Sequence, residues 1–142
     1  MGEGNRPLGP VIAVDPGREK CGIALLAPDG QVLHRSVATL EDVGERVVGL
    51  VAQRKATRLV LGDRTAAREV QDRLRRAGCS LQPILVDEHR STELARRRYF
   101  REKPPRGWRR LLPVTLQTPP EPYDDYVAVI LAERYLASQR PG

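Results

Sequence analysis

Three acidic positions carry residue types that can do chemistry together. Asp15 ends the apolar run Val11-Ile12-Ala13-Val14, Glu88 follows the apolar run that closes at Val86, and one of Asp124 or Asp125 precedes an apolar helix. Three carboxylates gathered at one point repel unless a cation neutralises them, so their convergence predicts a metal site. Oxygen ligands suit Mg²⁺ or Mn²⁺, and the two cysteines and two histidines offer no zinc-like set. A pair of such ions activates a water and stabilises the leaving oxygen of a phosphodiester. The reaction class predicted is metal-assisted phosphoryl transfer to water.

Each acid also has a plainer reading. Asp15 stands before Pro16-Gly17, where a carboxylate that accepts backbone hydrogen bonds opens a turn well. At roughly 100° per residue, Asp124 and Asp125 flank the apolar face formed by Ala128, Leu131, Ala132 and Tyr135 on opposite sides, so periodicity does not choose between them. Either also serves as an N-terminal helix charge favourable to the macrodipole. Asp63, after a core strand, is a candidate further ligand, against the favoured reading of a turn or cap carboxylate ahead of Thr65. His34 reads as a strand-surface residue. His89 is adjacent to Glu88 but is not required as a base, and Ser91 and Thr92 read as helix caps, since no His/Asp relay accompanies them.

A basic segment follows the second acid. Lys or Arg occupies positions 90, 96, 97, 98, 101, 103, 106, 109 and 110, against acids only at 93 and 102. With Lys20, the residues Arg90, Arg97, Arg98, Arg101, Lys103, Arg106, Arg109 and Arg110 are candidates for tracking phosphates. Trp108 either stacks on an unpaired base or anchors a proline-rich loop; Tyr99 and Phe100 read as anchors. Nothing here reads base identity, so selectivity comes from backbone, shape or single-strandedness. The chain of 142 residues carries a formal charge of +6 and a sequence pI of about 9.9, which agrees with a polyanionic partner.

The elements that must position these residues are legible in outline. Residues 1–8 read as a flexible leader, 9–138 as one domain, and 139–142 as a tail. Strands are predicted over 10–15, 20–27 and 31–38, the last two joined through Pro28-Asp29-Gly30. Val43, Val47, Leu50 and Val51 set a helix over 40–55 with Thr39 as its cap. A strand at 58–62, a helix at 66–77, a strand at 82–86, a basic helix from a Ser91 cap to Phe100 and a closing helix at 124–138 follow. Residues 103–122, with six prolines, read as an irregular loop. The expected fold is α/β: a five-stranded mixed sheet, a three-strand antiparallel meander plus two parallel strands, flanked by helices. Cys21 and Cys79 are expected as free thiols, no run is long enough to span a membrane, and the expected compartment is the cytoplasm.

These motifs carry a resemblance. Asp15-Pro16-Gly17 with Gly22, Val86-Asp87-Glu88-His89-Arg90-Ser91-Thr92, and Asp125-Tyr126-Val127-Ala128 resemble, in order and spacing, the three motifs of the YqgF/RuvX family of the ribonuclease H-like superfamily. The resemblance spans roughly residues 9–138 and implies a Holliday-junction-resolvase-like fold, a metal-dependent endonuclease, and a role in maturing the precursor of 16S ribosomal RNA. It implies Asp15, Glu88 and Asp125 as catalytic acids and metal ligands, and it places Asp63 where resolvases of the RuvC type carry an acid. Two stretches depart from the family. Lys20-Cys21-Gly22 stands where the family has Arg-Ile-Gly, and Gly62-Asp63-Arg64-Thr65 is closer to the Gly-Asn-Gly-Thr of YqgF-like domains in larger RNA-binding proteins, some of which have lost catalytic residues. The alternative is therefore a catalytically idle nucleic-acid-binding module in ribosome assembly or transcription. A sugar-kinase-like phosphotransferase, whose phosphate loop the Asp-x-Gly hairpin also resembles, requires two domains around a nucleotide. The partner expected is RNA or branched DNA, bound by a monomer or a homodimer.

Overall fold

The structure is a computed structural model and describes residues 8–113, 117–119 and 121–139. Five strands and four α-helices alternate in the order β1 (Val11–Asp15), β2 (Lys20–Leu26), β3 (Val32–Thr39), α1 (Val43–Arg54), β4 (Arg58–Gly62), α2 (Ala67–Arg76), β5 (Pro83–Val86), α3 (Ser91–Glu102) and α4 (Asp124–Ser138). A 3₁₀ turn at Gly107–Leu111 interrupts the proline-rich loop. The strand order is β3-β2-β1-β4-β5, antiparallel from β1 to β3 and parallel for β1-β4-β5. This is the mixed sheet expected from the sequence. Most of the expected leader, the end of the tail, and residues 114–116 and 120 of the loop lie outside the described residues.

The continuous apolar run of β1 follows from its place at the sheet centre. Ile12 and Val14 face a core shared with α1 and α2, while Val11 and Ala13 face α4. Both sides are fully buried, so alternation has no polar face to display. Truncating Ile12 to Ala in such a layer costs about 2–5 kcal/mol. Helix α4 is buried from Tyr126 through Ala132 because it is sandwiched. Ala128, Val129, Leu131 and Ala132 pack on the sheet, and Tyr126, Val127 and Ile130 pack on Tyr99 and Phe100 of α3.

Two expected caps are corrected. Thr39 ends β3 and its Oγ1 accepts the Asp42 amide at 3.2 Å, so α1 begins later, behind Asp42, with no side-chain cap. Ser91 is the first residue of α3 rather than its cap. Its amide donates to the Glu88 carbonyl at 2.9 Å, which tightens the entry turn and puts Arg90 at φ 59°, in the cap position. Cys21 and Cys79 are free thiols, and no described helix is long and apolar enough to cross a membrane.

Candidate active site

The carboxyl ends of β1, β4 and β5 lie side by side, and that edge collects the acids. Asp15 is the last residue of β1 and Glu88 stands two residues beyond β5; both are buried, at 6% and 3% exposure. β4 separates the two strands, and its last residue is Gly62. A Cβ on Gly62 would lie 2.4 Å from Glu88 Cδ, so glycine is what lets the Glu88 side chain lie across β4. There its carboxyl group acts directly on that of Asp15.

Burial, first, and then the hydrogen bond and charge of Glu88 push the Asp15 carboxyl up to about 9; the Asp124 charge adds to this and Arg64 opposes it. Asp15 Oδ1 and Glu88 Oε1 are buried with no hydrogen-bond partner. Arg64 Nε lies 3.4 Å from Glu88 Oε1, an ion-pair contact rather than a hydrogen bond. The Arg64 amide donates to Glu88 Oε2 at 2.9 Å, and its Nη2 continues to Thr92 Oγ1 at 3.0 Å. Two buried carboxylate oxygens without hydrogen-bond partners, at one edge of the sheet, fit a hard divalent cation. Among the described residues no three His, Cys, Asp or Glu side chains close into a metal cage. Asp15 and Glu88 are the assembled part of the site.

The first turn of the last helix lies against β2. Gly22 pairs with Asp15 in the sheet, and a Cβ there would fall 1.8 Å from the Asp124 carbonyl oxygen. The absence of a side chain therefore seats the first turn of α4 on β2 beside Asp15. Asp124 raises the pKa values of Asp15 and Cys21 through its charge. Asp125 divides its oxygens: Oδ1 is buried without a hydrogen-bond partner, while Oδ2 lies 3.7 Å from Arg35, whose guanidinium stacks 3.9 Å above the Tyr126 ring and stands 3.8 Å from Glu102. Burial raises the Asp125 pKa, with Arg35 and the first-turn amides opposing. Successive residues on a helix point about 100° apart, which sends the two acids to different neighbours.

The loop bearing Glu88 is held from several directions. Exposed Asp63 accepts the Glu88 amide at 3.2 Å, and Asp87 accepts the His89 amide at 2.9 Å. Arg134 of α4 donates to the Asp87 carbonyl at 2.7 Å and also to the His89 carbonyl. Arg64, Arg134 and Arg35 carry no pattern in the sequence that marks them for these contacts: Arg134 reaches 45 to 47 residues back along the chain and leaves no local signature.

The basic residues divide into two groups. At the start of α3 Arg90, and on it Arg97, pair with Glu93 at 3.2 and 3.0 Å, and Arg98 pairs with Glu133 at 2.7 Å. Lys103 meets Glu121 at 3.3 Å. Arg101, Arg106, Arg109 and Arg110 are exposed and make no ion pair among the described residues, and Lys20 is exposed at the start of β2. Tyr99 and Phe100 are buried edge to face, 5.2 Å apart, in the α3/α4 core, while Trp108 is exposed.

Two solved structures share this architecture. A structure of Thermus thermophilus RuvC in complex with Holliday junction substrate superposes with a TM-score of 0.60 at 14% identity, covering 92% of this chain and 95% of that one. A second Thermus thermophilus RuvC structure gives 0.57 at 12% identity with the same coverage. No family model matches the chain, and no curated protein matches it by sequence. The chain has the ribonuclease H-like fold, with the acids at the edge described above.

Proposed function

We propose that this chain is a metal-dependent endonuclease of the YqgF/RuvX type that hydrolyses phosphodiester bonds in structured nucleic acid. The observation that carries the reading is the buried Asp15–Glu88 pair, with unpartnered oxygens, at the carboxyl edge of a ribonuclease H-like sheet. The RuvC likeness supports it, since one of those structures holds a Holliday junction. Asp15 and Glu88 would hold Mg²⁺ or Mn²⁺, with Asp124 as the third acid favoured by its charge at Asp15, and Asp125 as the residue favoured by motif. When bound, the ions supply Lewis-acid activation of water and neutralise charge developing on the phosphate.

The chain's own residues do the rest. Asp15 and Glu88 would present their unpartnered oxygens to the metal. Arg64 fixes the Glu88 carboxylate through its amide, and Asp63 and Arg134 fix the backbone that presents it. Exposed Lys20, Arg101, Arg106, Arg109 and Arg110 neutralise phosphates, and the ion-paired Arg90, Arg97, Arg98 and Lys103 exchange carboxylate partners for phosphate. The compartment that goes with this reading is the cytoplasm, as a monomer cutting precursor ribosomal RNA or a homodimer making paired cuts in a junction.

One observation favours a second reading, an idle binding module: Arg64 already places a cation 3.4 Å from Glu88. Incubating the protein with Mn²⁺ and, in parallel, a four-way DNA junction and a precursor 16S RNA fragment separates the readings. Turnover of either substrate supports the nuclease and names its substrate; salt-sensitive binding with no turnover supports the module.

A further inference from the structure

The cations of the basic segment are not equally free, and the difference points to a ligand. Arg90, Arg97 and Arg98 face glutamates, as above, whereas among the described residues Arg101 at the end of α3 does not. From residue 103 to 120 the sequence has no Asp or Glu, yet carries Lys103, Arg106, Arg109 and Arg110. Within this stretch the 3₁₀ turn Gly107–Leu111 lifts Trp108 to 68% exposure, with Arg109 5.9 Å from its ring centroid. Leu111 and Leu112 beside it are 82% and 40% exposed. Tyr99 and Phe100, the other aromatics of the segment, are buried as anchors, so loop anchoring does not account for Trp108.

We infer that Trp108 is a stacking platform for an unpaired base, with Arg106, Arg109 and Arg110 binding the phosphates on either side of it. An exposed indole offers a flat apolar face to a base of any identity, and uncompensated guanidinium groups on either side supply the backbone contact. The charge selects a polyanion, and the ring selects one with accessible bases, which a closed duplex lacks. The inference rests on the nucleic-acid reading above and narrows it: the substrate presents a single-stranded or splayed nucleotide to this loop.

Trp108 is the chain's one tryptophan, so its fluorescence reports this position alone. The intact protein is titrated with an oligothymidylate, an abasic strand of equal length, a blunt duplex and anionic vesicles. The platform predicts strong quenching by the oligothymidylate and little by the abasic strand or duplex. By labelled-strand anisotropy, Trp108→Ala loses roughly tenfold in affinity for the oligothymidylate with duplex affinity unchanged, and Trp108→Phe restores most of the loss. Equal quenching by the abasic strand, or unchanged affinity in Trp108→Ala, overturns the inference. A blue shift with vesicles and no response to oligonucleotides overturns it in favour of a lipid surface. Quenching without Mn²⁺-dependent cleavage leaves the platform standing and removes the nuclease; cleavage without quenching does the reverse.

Discussion

Gly62 makes the room that Glu88 occupies. The side chain of an acid carried beyond β5 crosses the end of β4 only because Gly62 has no Cβ, which would sit 2.4 Å from Glu88 Cδ and 2.8 Å from Cγ. Gly62→Ala therefore moves the carboxylate away from Asp15 while leaving the sheet paired. A misplacement of this kind lowers the cleavage rate about a hundredfold. Single-turnover kinetics beside a thermal melt check this: a rate loss with a preserved cooperative melt is expected, and a parental rate would mean that Glu88 does not need its present position.

The Asp15 carboxyl gives the metal-free protein a distinctive pH dependence. Its native pKa of about 9 stands above the ordinary 3.8, so between those values the folded chain binds more protons than the unfolded chain. Stability from this group is complete below the ordinary Asp range and is lost as pH rises towards 9, a decline on the order of a few kcal/mol. Urea unfolding at pH 5 and pH 8 should show that decline in the parent and a much smaller one in Asp15→Asn. Mn²⁺ competes with the proton, so it raises the melting temperature more at pH 8 than at pH 5.

Asp124 and Asp125 have different neighbours. Asp124 acts on Asp15 through its charge, whereas Asp125 faces Arg35 at 3.7 Å. Asp124→Asn is expected to weaken Mn²⁺ binding and abolish cleavage. Asp125→Asn should keep both and change stability by about 1 kcal/mol or less, as expected of a partly exposed pair. Calorimetric Mn²⁺ titration of the two variants decides; loss of binding in Asp125→Asn alone would return the role to the residue that the motif selects.

Arg134 positions Glu88 without touching it. Its guanidinium bridges the carbonyls of Asp87 and His89, on either side of that residue. Arg134→Ala should lower kcat about tenfold to a hundredfold with KM little changed, and should speed amide exchange over 87–91. Arg134→Lys, able to reach one carbonyl, should recover part of the rate. A KM effect with unchanged kcat would make Arg134 a substrate contact instead.

The sequence displayed what depends on local pattern. β1 was legible because Val11 through Val14 are buried on both faces, and β4 because Leu59 through Leu61 are too. The order of elements then fixed the mixed sheet. The periodicity of α4 shows only one of its two buried faces, since Tyr126, Val127 and Ile130 pack on α3 while Ala128 and Leu131 pack on the sheet. Contacts that join distant segments left no trace: Arg64 on Glu88, Arg134 on Asp87, and Arg35 on Asp125. Ser91 looked like a cap because its type suits one; the tight Glu88–Ser91 turn assigned that place to Arg90.

On the proposed function, Asp15 and Glu88 hold a divalent cation used to cut nucleic acid. The most direct test of this function measures Mn²⁺ binding and Mn²⁺-dependent cleavage of the four-way junction and the precursor RNA fragment, for the parent and for Asp15→Asn. The parent is expected to bind Mn²⁺ and cut one of the two, and Asp15→Asn to bind nucleic acid as the parent does but neither hold the metal nor cut. A variant that cleaves as fast as the parent, or a parent that binds no Mn²⁺, would contradict it.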